Sequence, residues 1–263
     1  MMEALKHIVK SRSWWYSISD SSFYQKMRNT GRYNLFLQEI EFYKTLIGTS
    51  NALIFDVGAN VGTKAKIFGQ LAKQVVLFEP DRVNLKILAA RLKAGQQFII
   101  HDCALGNKKG VSEYYSIGND SAYNSLSEKH INTIARQRGI IKDEKLLKQY
   151  EVETNTLDFF ISRYGRPDYI KIDVEGFEKQ VIEGLGKPVK LVSVEANLPE
   201  FLPETIDIIQ YLAQLSGNQY RFNYAVDNHF ESNVFLAEDN FIDKIKGLKE
   251  RSIEIYCRLD EIN

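Results

Sequence analysis

The chain has 263 residues, enough for one large α/β domain or two small ones with an ample core. Its 34 Lys and Arg balance 34 Asp and Glu, which argues against a nucleic-acid binder working by broad phosphate neutralisation, and no apolar run approaches the length of a membrane span. The two cysteines, Cys103 and Cys257, show no metal-ligand spacing and no disulfide framework; with no signal-peptide apolar region, the expected location is the cytoplasm.

Residues 1–50 read as a helical extension ahead of a main domain spanning 51–263. Phe36, Ile40, Tyr43 and Ile47 recur at spacings of four, three and four, the apolar face of an amphipathic helix. Upstream, Trp14-Trp15-Tyr16 with Phe23 and Tyr24 is dense in aromatics. Three readings stay open for it: a lid over a substrate pocket, a membrane-surface foot, or plain packing onto the domain.

The stretch Leu53-Ile54-Phe55-Asp56-Val57-Gly58-Ala59-Asn60-Val61-Gly62 reads as a buried strand, a tight turn and the start of a helix. Gly58 and Gly62 would let backbone approach a ligand, with helix N–H groups pointing at it. Val75-Val76-Leu77-Phe78 then runs into Glu79, a second strand ending in an acid placed for a ribose diol. The loop spacing is D-x-G-x-N-x-G rather than G-x-G-x-x-G. Asp56 at the strand tip would repel a pyrophosphate but suit a cationic ligand, which favours S-adenosylmethionine over a nicotinamide dinucleotide.

Pro80 ends the second strand, and Asn84 to Ala94 reads as a helix stopped by Gly95. Phe98-Ile99-Ile100 begins a third strand followed by Asp102-Cys103-Ala104. Asp102 is placed either to accept from an adenine amino group or to serve as a turn acid. Residues of about 108–156 interrupt the alternation: a strand at Val111 to Tyr115, a polar loop holding Asn119-Asp120-Ser121, a helix from Leu126 to Arg138, and a return at Val152-Glu153-Thr154. An insertion of this length is expected to face the substrate.

Thr156 caps the next helix. Asp168 to Asp173 is the fourth parallel strand, followed by the Val174-Glu175-Gly176 turn, and Lys190 to Ala196 is the fifth, ending in Glu195-Ala196-Asn197. Thr205 to Leu215 is helical, and Tyr220–Val226 with Asn233–Ala237 is expected to form a terminal antiparallel hairpin. Four strands thus deliver Asp56, Glu79, Asp173 and Glu195 at their C-terminal tips, where ligands of open α/β sheets bind.

Taken in order, the D-x-G-x-N-x-G loop, Phe78-Glu79-Pro80, Ala104-Leu105-Gly106, Thr156-Leu157-Asp158 and the run Ile170-Lys171-Ile172-Asp173-Val174-Glu175-Gly176-Phe177-Glu178 resemble the FkbM family of S-adenosylmethionine-dependent methyltransferases. The resemblance covers about residues 50–200. It implies an α/β fold of the class I methyltransferase type: a Rossmann-like, doubly wound sheet of seven strands with the last antiparallel. It also implies O-methylation of a small molecule, natural product or glycan. By the same resemblance, Gly58, Asn60 and Gly62 would frame the methionine end of the cofactor, Glu79 its ribose, and Asp102 with Ala104 its adenine. Asp173 and Glu175 would lie by the methyl group and the acceptor. Some related O-methyltransferases hold Mg²⁺ at the tips of strands four and five, here Asp173, Glu195 and Asn197.

A hydroxyl acceptor needs a group to take its proton or stabilise the developing oxyanion, and His130 and His229 are the imidazoles to weigh beside Asp173 and Glu175. Two other functions fit parts of the pattern: a cofactor-binding interaction module without catalysis, and a nicotinamide-dependent oxidoreductase.

Overall fold

The structure is a computed structural model that describes residues 30–48, 51–92, 97–117, 124–137 and 147–260. The aromatic run around Trp14 and the Asn119–Ser121 stretch lie outside them. No helix of the described residues is long and apolar enough to cross a membrane.

The first half alternates strand and helix. Helix α1 (Thr30–Ile47) precedes β1 (Ala52–Val57), α2 (Thr63–Leu71), β2 (Ala72–Phe78), α3 (Arg82–Arg91) and β3 (Phe98–His101). These strands are parallel and built of aliphatic and aromatic residues, as expected where helices cover both faces. Asp81 accepts from the Val83 and Asn84 amides, and this cap starts α3 two residues before the expected position.

The second half begins with a small separate sheet of β4 (Ala104–Leu105), β5 (Gly110–Ile117) and β6 (Leu147–Asn155), with α4 (Glu128–Gln137) between the last two. Strands β5 and β6 pair antiparallel from Gly110↔Thr154 to Ile117↔Leu147, the hairpin anticipated within the insertion. Helix α5 (Leu157–Tyr164) starts on Thr156, whose hydroxyl accepts from the Phe159 amide, and leads to β7 (Tyr169–Ile172). Helix α6 (Glu178–Glu183), β8 (Leu191–Asn197), α7 (Leu202–Leu215), β9 (Tyr220–Val226), β10 (His229–Phe230), α8 (Glu238–Lys246) and β11 (Ser252–Leu259) follow.

The main sheet runs β10-β9-β11-β8-β7-β1-β2-β3, the expected seven strands plus the two-residue β10. The last strand is antiparallel as expected, but a different segment supplies it. Asn233–Ala237 contributes one bridge, Phe222↔Leu236, whereas β11 inserts antiparallel between β8 and β9. The expected hairpin favours the nearest partner in sequence; the fold pairs Ser252 with Asn197 and Leu259 with Tyr220 instead.

Period-two alternation divides the core. Phe55, Val57, Ile170 and Ile172 pack under α5 to α8, while Ile54 and Tyr169 pack on the opposite face with Tyr43 and Ile47 of α1 and Phe68 of α2. From β1 the chain winds one way through β2 to β3, then returns to the other side of β1 with β7 and β8. The switch point lies between the tips of β1 and β7.

Candidate active site

At the switch point the loop after β1 is bent by three residues of positive φ: Gly58 (84°), Asn60 (49°) and Gly62 (82°). The Gly58 and Ala59 amides both donate to the Phe78 carbonyl, which fastens the loop to the end of β2. Gly58 lines the cleft, yet a Cβ there would first meet the Asp173 carbonyl oxygen, at 1.8 Å. Its smallness serves contact between the β1 and β7 ends. At Gly62 a Cβ would meet Leu88 Cδ1 at 2.6 Å, so this glycine lets α2 pack on α3, and it is not among the residues lining the cleft.

Glu79 is buried at the β2 tip and faces the cleft. Its Oε2 accepts from the Asn60 amide at 2.7 Å, and its Oε1 from the Asp81 amide at 2.8 Å and from Asn84 Nδ2 at 3.4 Å. Burial pushes its carboxyl up to about 7, although these donors favour the charged form. Asp81 is a site-building residue that sequence reasoning missed. Besides capping α3, its Oδ2 accepts from Asn124 Nδ2 at 3.2 Å and from the Tyr150 hydroxyl at 3.0 Å, tying the insertion to the β2 tip. An acid following Phe78-Glu79-Pro80 and opening a helix was the available signal.

The cleft has a volume of about 620 Å³, part of it open to solvent. Cys103, Ala104 and Leu105 form an apolar wall, closed by Tyr114 and Leu126 of the insertion. Burial raises the Cys103 thiol to about 12, so it acts as a small apolar group. Asp102, expected by the adenine, is exposed and not among the lining residues; the bend after β3 turns it to solvent while its neighbours face in.

Asp56 also stands outside the cleft lining. Strand alternation puts its side chain with Ile54 on the α1 face, where it is 1% exposed and absent from the cleft lining. Burial lifts its carboxyl to about 6, with Lys171 offsetting part of the effect.

Asp173, Val174 and Glu175 line the opposite end of the cleft. Lys171 Nζ donates to Asp173 Oδ2 at 2.7 Å. Burial alone would raise Asp173, but the Lys171 ammonium overcomes it and holds the carboxyl below its usual range. Glu175, in the left-handed region at φ 56°, is pushed up to about 8 by burial and by Asp173. Glu195 is raised well above the usual range by burial, Asp173 and Glu175. Glu178, buried behind them, accepts from the Val174 amide at 3.1 Å and the Gly176 amide at 3.0 Å, so it braces the turn.

Asp173, Glu175 and Glu195 each bring one carboxylate oxygen within 4.8 Å of the others. This group differs from the expected metal set, because Asn197 turns its amide to Glu195 Oε2 at 3.4 Å. With an Asp173 oxygen engaged by Lys171, we assign no cation to the cluster.

His130 lies behind Glu175 and outside the cleft lining. Its Nε2 is 3.4 Å from Glu175 Oε2, and burial lowers the imidazole to about 4. Its side chain packs against the same turn: a Cβ on Gly176 would lie 2.9 Å from His130 Cβ, and Ser125 Oγ donates to the Glu175 carbonyl at 2.6 Å. His229 is exposed on β10 at the far edge of the sheet.

Residues 56–224 match the family described as Methyltransferase FkbM domain. No curated protein matches the chain. Among solved structures, the chain is similar to the methyltransferase FkbM from Methylobacillus flagellatus KT, with 14% identity and a TM-score of 0.48 over 97% of this chain and 58% of that one. This chain therefore spans little more than half the length of that relative. It is also similar to the precorrin-6y C5,15-methyltransferase from Geobacter metallireducens GS-15 (8% identity, TM-score 0.45, 86% and 87% coverage). A third similar structure is the plantazolicin methyltransferase BpumL in complex with a monoazolic desmethylPZN analog and SAH (8% identity, TM-score 0.45, 98% and 100% coverage).

Proposed function

The chain belongs to the methyltransferase FkbM domain family, and on that premise we propose that it transfers a methyl group from S-adenosylmethionine to a hydroxyl of a small molecule, natural product or glycan. The observation that carries the reading is one cleft with two unlike acidic ends, Glu79 at the β2 tip and Asp173 past β7, joined by Gly58.

The cofactor fits the first end. Glu79 takes three protein donors and keeps lone-pair capacity for a ribose diol. The Cys103–Leu105 wall offers an apolar surface of the kind a flat base requires. When bound, the sulfonium supplies an activated methyl group.

The chain's own work is to position and to manage a proton. In-line displacement gains much of its rate from alignment of the reacting atoms. Asp173, kept ionised by Lys171, is the carboxylate that would orient the acceptor hydroxyl and take its proton as the oxygen becomes acidic. Glu175, raised to about 8, would be protonated near neutral pH and so able to donate to a second acceptor oxygen.

The test is transfer of radiolabelled methyl to a panel of polyols, glycans, polyketides and amines. Label in an ether linkage is expected. Label confined to nitrogen would overturn the hydroxyl assignment, and tight cofactor binding without transfer to any acceptor would favour an interaction module.

A further inference from the structure

Lys171 occupies a place where a central parallel strand ordinarily carries an aliphatic residue. All four residues of β7 are buried, and Lys171 itself is 2% exposed. An ammonium taken out of water to such a depth is unfavourable unless paired, and departures of this kind from local consistency are expected chiefly at functional sites.

The charged groups around it come from two strands, the turn after its own strand and one helix. Asp56 on β1 is its direct register partner, Glu254 stands on β11, Asp173 lies two residues on, just past β7, and Lys64 of α2 lies on the Asp56 side. Glu254 is engaged by Ser193 Oγ at 2.6 Å, and Ser193 in turn shares a 2.6 Å hydrogen bond with the Tyr169 hydroxyl. Asp56 Oδ2 makes no hydrogen bond among the described residues. The Lys171 ammonium instead reaches toward the cleft and donates to Asp173 at 2.7 Å. A lysine present only to neutralise Asp56 would be expected to turn to that neighbour.

We propose that Lys171 is a positioning residue for methyl transfer, its buried ammonium fixing the Asp173 carboxylate in the orientation that the acceptor hydroxyl meets. Lys171 does not line the cleft and acts through Asp173, so the inference rests on the catalytic reading of that residue. The other two carboxylates of the cluster have further anchors of their own. Glu195, which also hydrogen-bonds Asp173, is held by Ser252 at 3.2 Å and by Asn197, and Glu175 faces His130. Of the three, Asp173 alone is tied to a fixed cation among the described residues.

The experiment compares K171M, D173N and the double variant, with cofactor affinity by calorimetry, turnover at saturating cofactor and the thermal midpoint on the same preparations. Loss of positioning predicts turnover lower by about 10- to 100-fold in K171M, with cofactor affinity within about threefold. The double variant should be no slower than D173N, since both changes remove one interaction. Turnover of K171M near wild type, or losses that multiply in the double variant, overturns the proposal. Wild-type turnover in D173N overturns the reading of Asp173 itself, a separate and recognisable failure. Should K171M not fold, the same comparison is made between K171M/D56N, which also removes the Asp56 charge opposite the methionine, and D56N alone. Equal turnover in those two also overturns it.

Discussion

Gly58 and Asp173 touch so closely that a Cβ on the glycine would sit 1.8 Å from the aspartate's carbonyl oxygen. The glycine loop after β1 and the loop that carries the acid are therefore packed against one another, not merely near the same cavity. Gly58→Ala must displace that carbonyl and also holds an L residue at φ 84°. The expected result is a loss of about 3 kcal/mol or more of unfolding free energy. Denaturant unfolding checks it. An unchanged midpoint with weakened cofactor binding alone would mean that Gly58 matters for ligand space and not for packing.

Asp173→Asn should keep the shape of the site and most cofactor affinity while lowering kcat by roughly 10²–10⁴, the range for a positioned acid or base. A purely structural Asp173 would instead lose stability and cofactor affinity together. Turnover within about threefold of wild type would end the catalytic assignment.

Exhaustive chelation should leave turnover unchanged. The ammonium of Lys171 already neutralises Asp173, and Asn197 commits its amide to Glu195. Activity that disappears with EDTA and returns with Mg²⁺ would contradict this.

The pH dependence of folding follows from the buried carboxyls. Glu178 is 7% exposed and is pushed by burial up to about 7. Its folded-state value exceeds the unfolded one, so the folded protein binds more protons between the two. The contribution is fully present below about pH 4.5 and is lost as pH rises through about 7. Glu178→Gln should flatten the decline and, at about pH 8, stabilise the protein by roughly 1–3 kcal/mol. Equilibrium unfolding at several pH values tests it; an unchanged slope would show that Glu178 is not the group responsible.

The strands and their acids were readable because buried parallel strands are continuous apolar runs, and an acid ending one stands out. What the runs did not disclose was direction. Asp56 and Glu79 read alike in sequence, yet period-two alternation turns Asp56 with Ile54 toward α1, while Glu79, one residue past its strand, faces the cleft. Gly62 carries a packing role that the sequence did not disclose, for a related reason. A glycine after a strand suggests ligand approach, but the neighbour that demands its smallness is Leu88, in a helix that begins twenty residues on. The β11 insertion was missed because its partners are distant in sequence. Lys171 was visible in the Lys-Ile-Asp run, but its pairing with Asp173 emerges only once β7 is known to be buried on both faces.

His130 supplies the sharpest separation between what residue type suggests and what placement permits. An imidazole near a methyl-transfer site invites the role of general base, but this one stands behind Glu175 with its Nε2 3.4 Å from Oε2. Burial lowers it to about 4, so it is neutral across the working range and should give no rate limb in the usual histidine range. Its effect on turnover must then pass through Glu175. His130→Gln should lower kcat by about tenfold or less, and His130→Gln/Glu175→Gln should be no slower than Glu175→Gln alone, because coupled neighbours are not additive. Steady-state kinetics of the three variants, with a pH profile for His130→Gln, decide it. If Glu175→Gln is silent while His130→Gln abolishes turnover, the imidazole reaches the acceptor itself and the assignment to a supporting position is wrong.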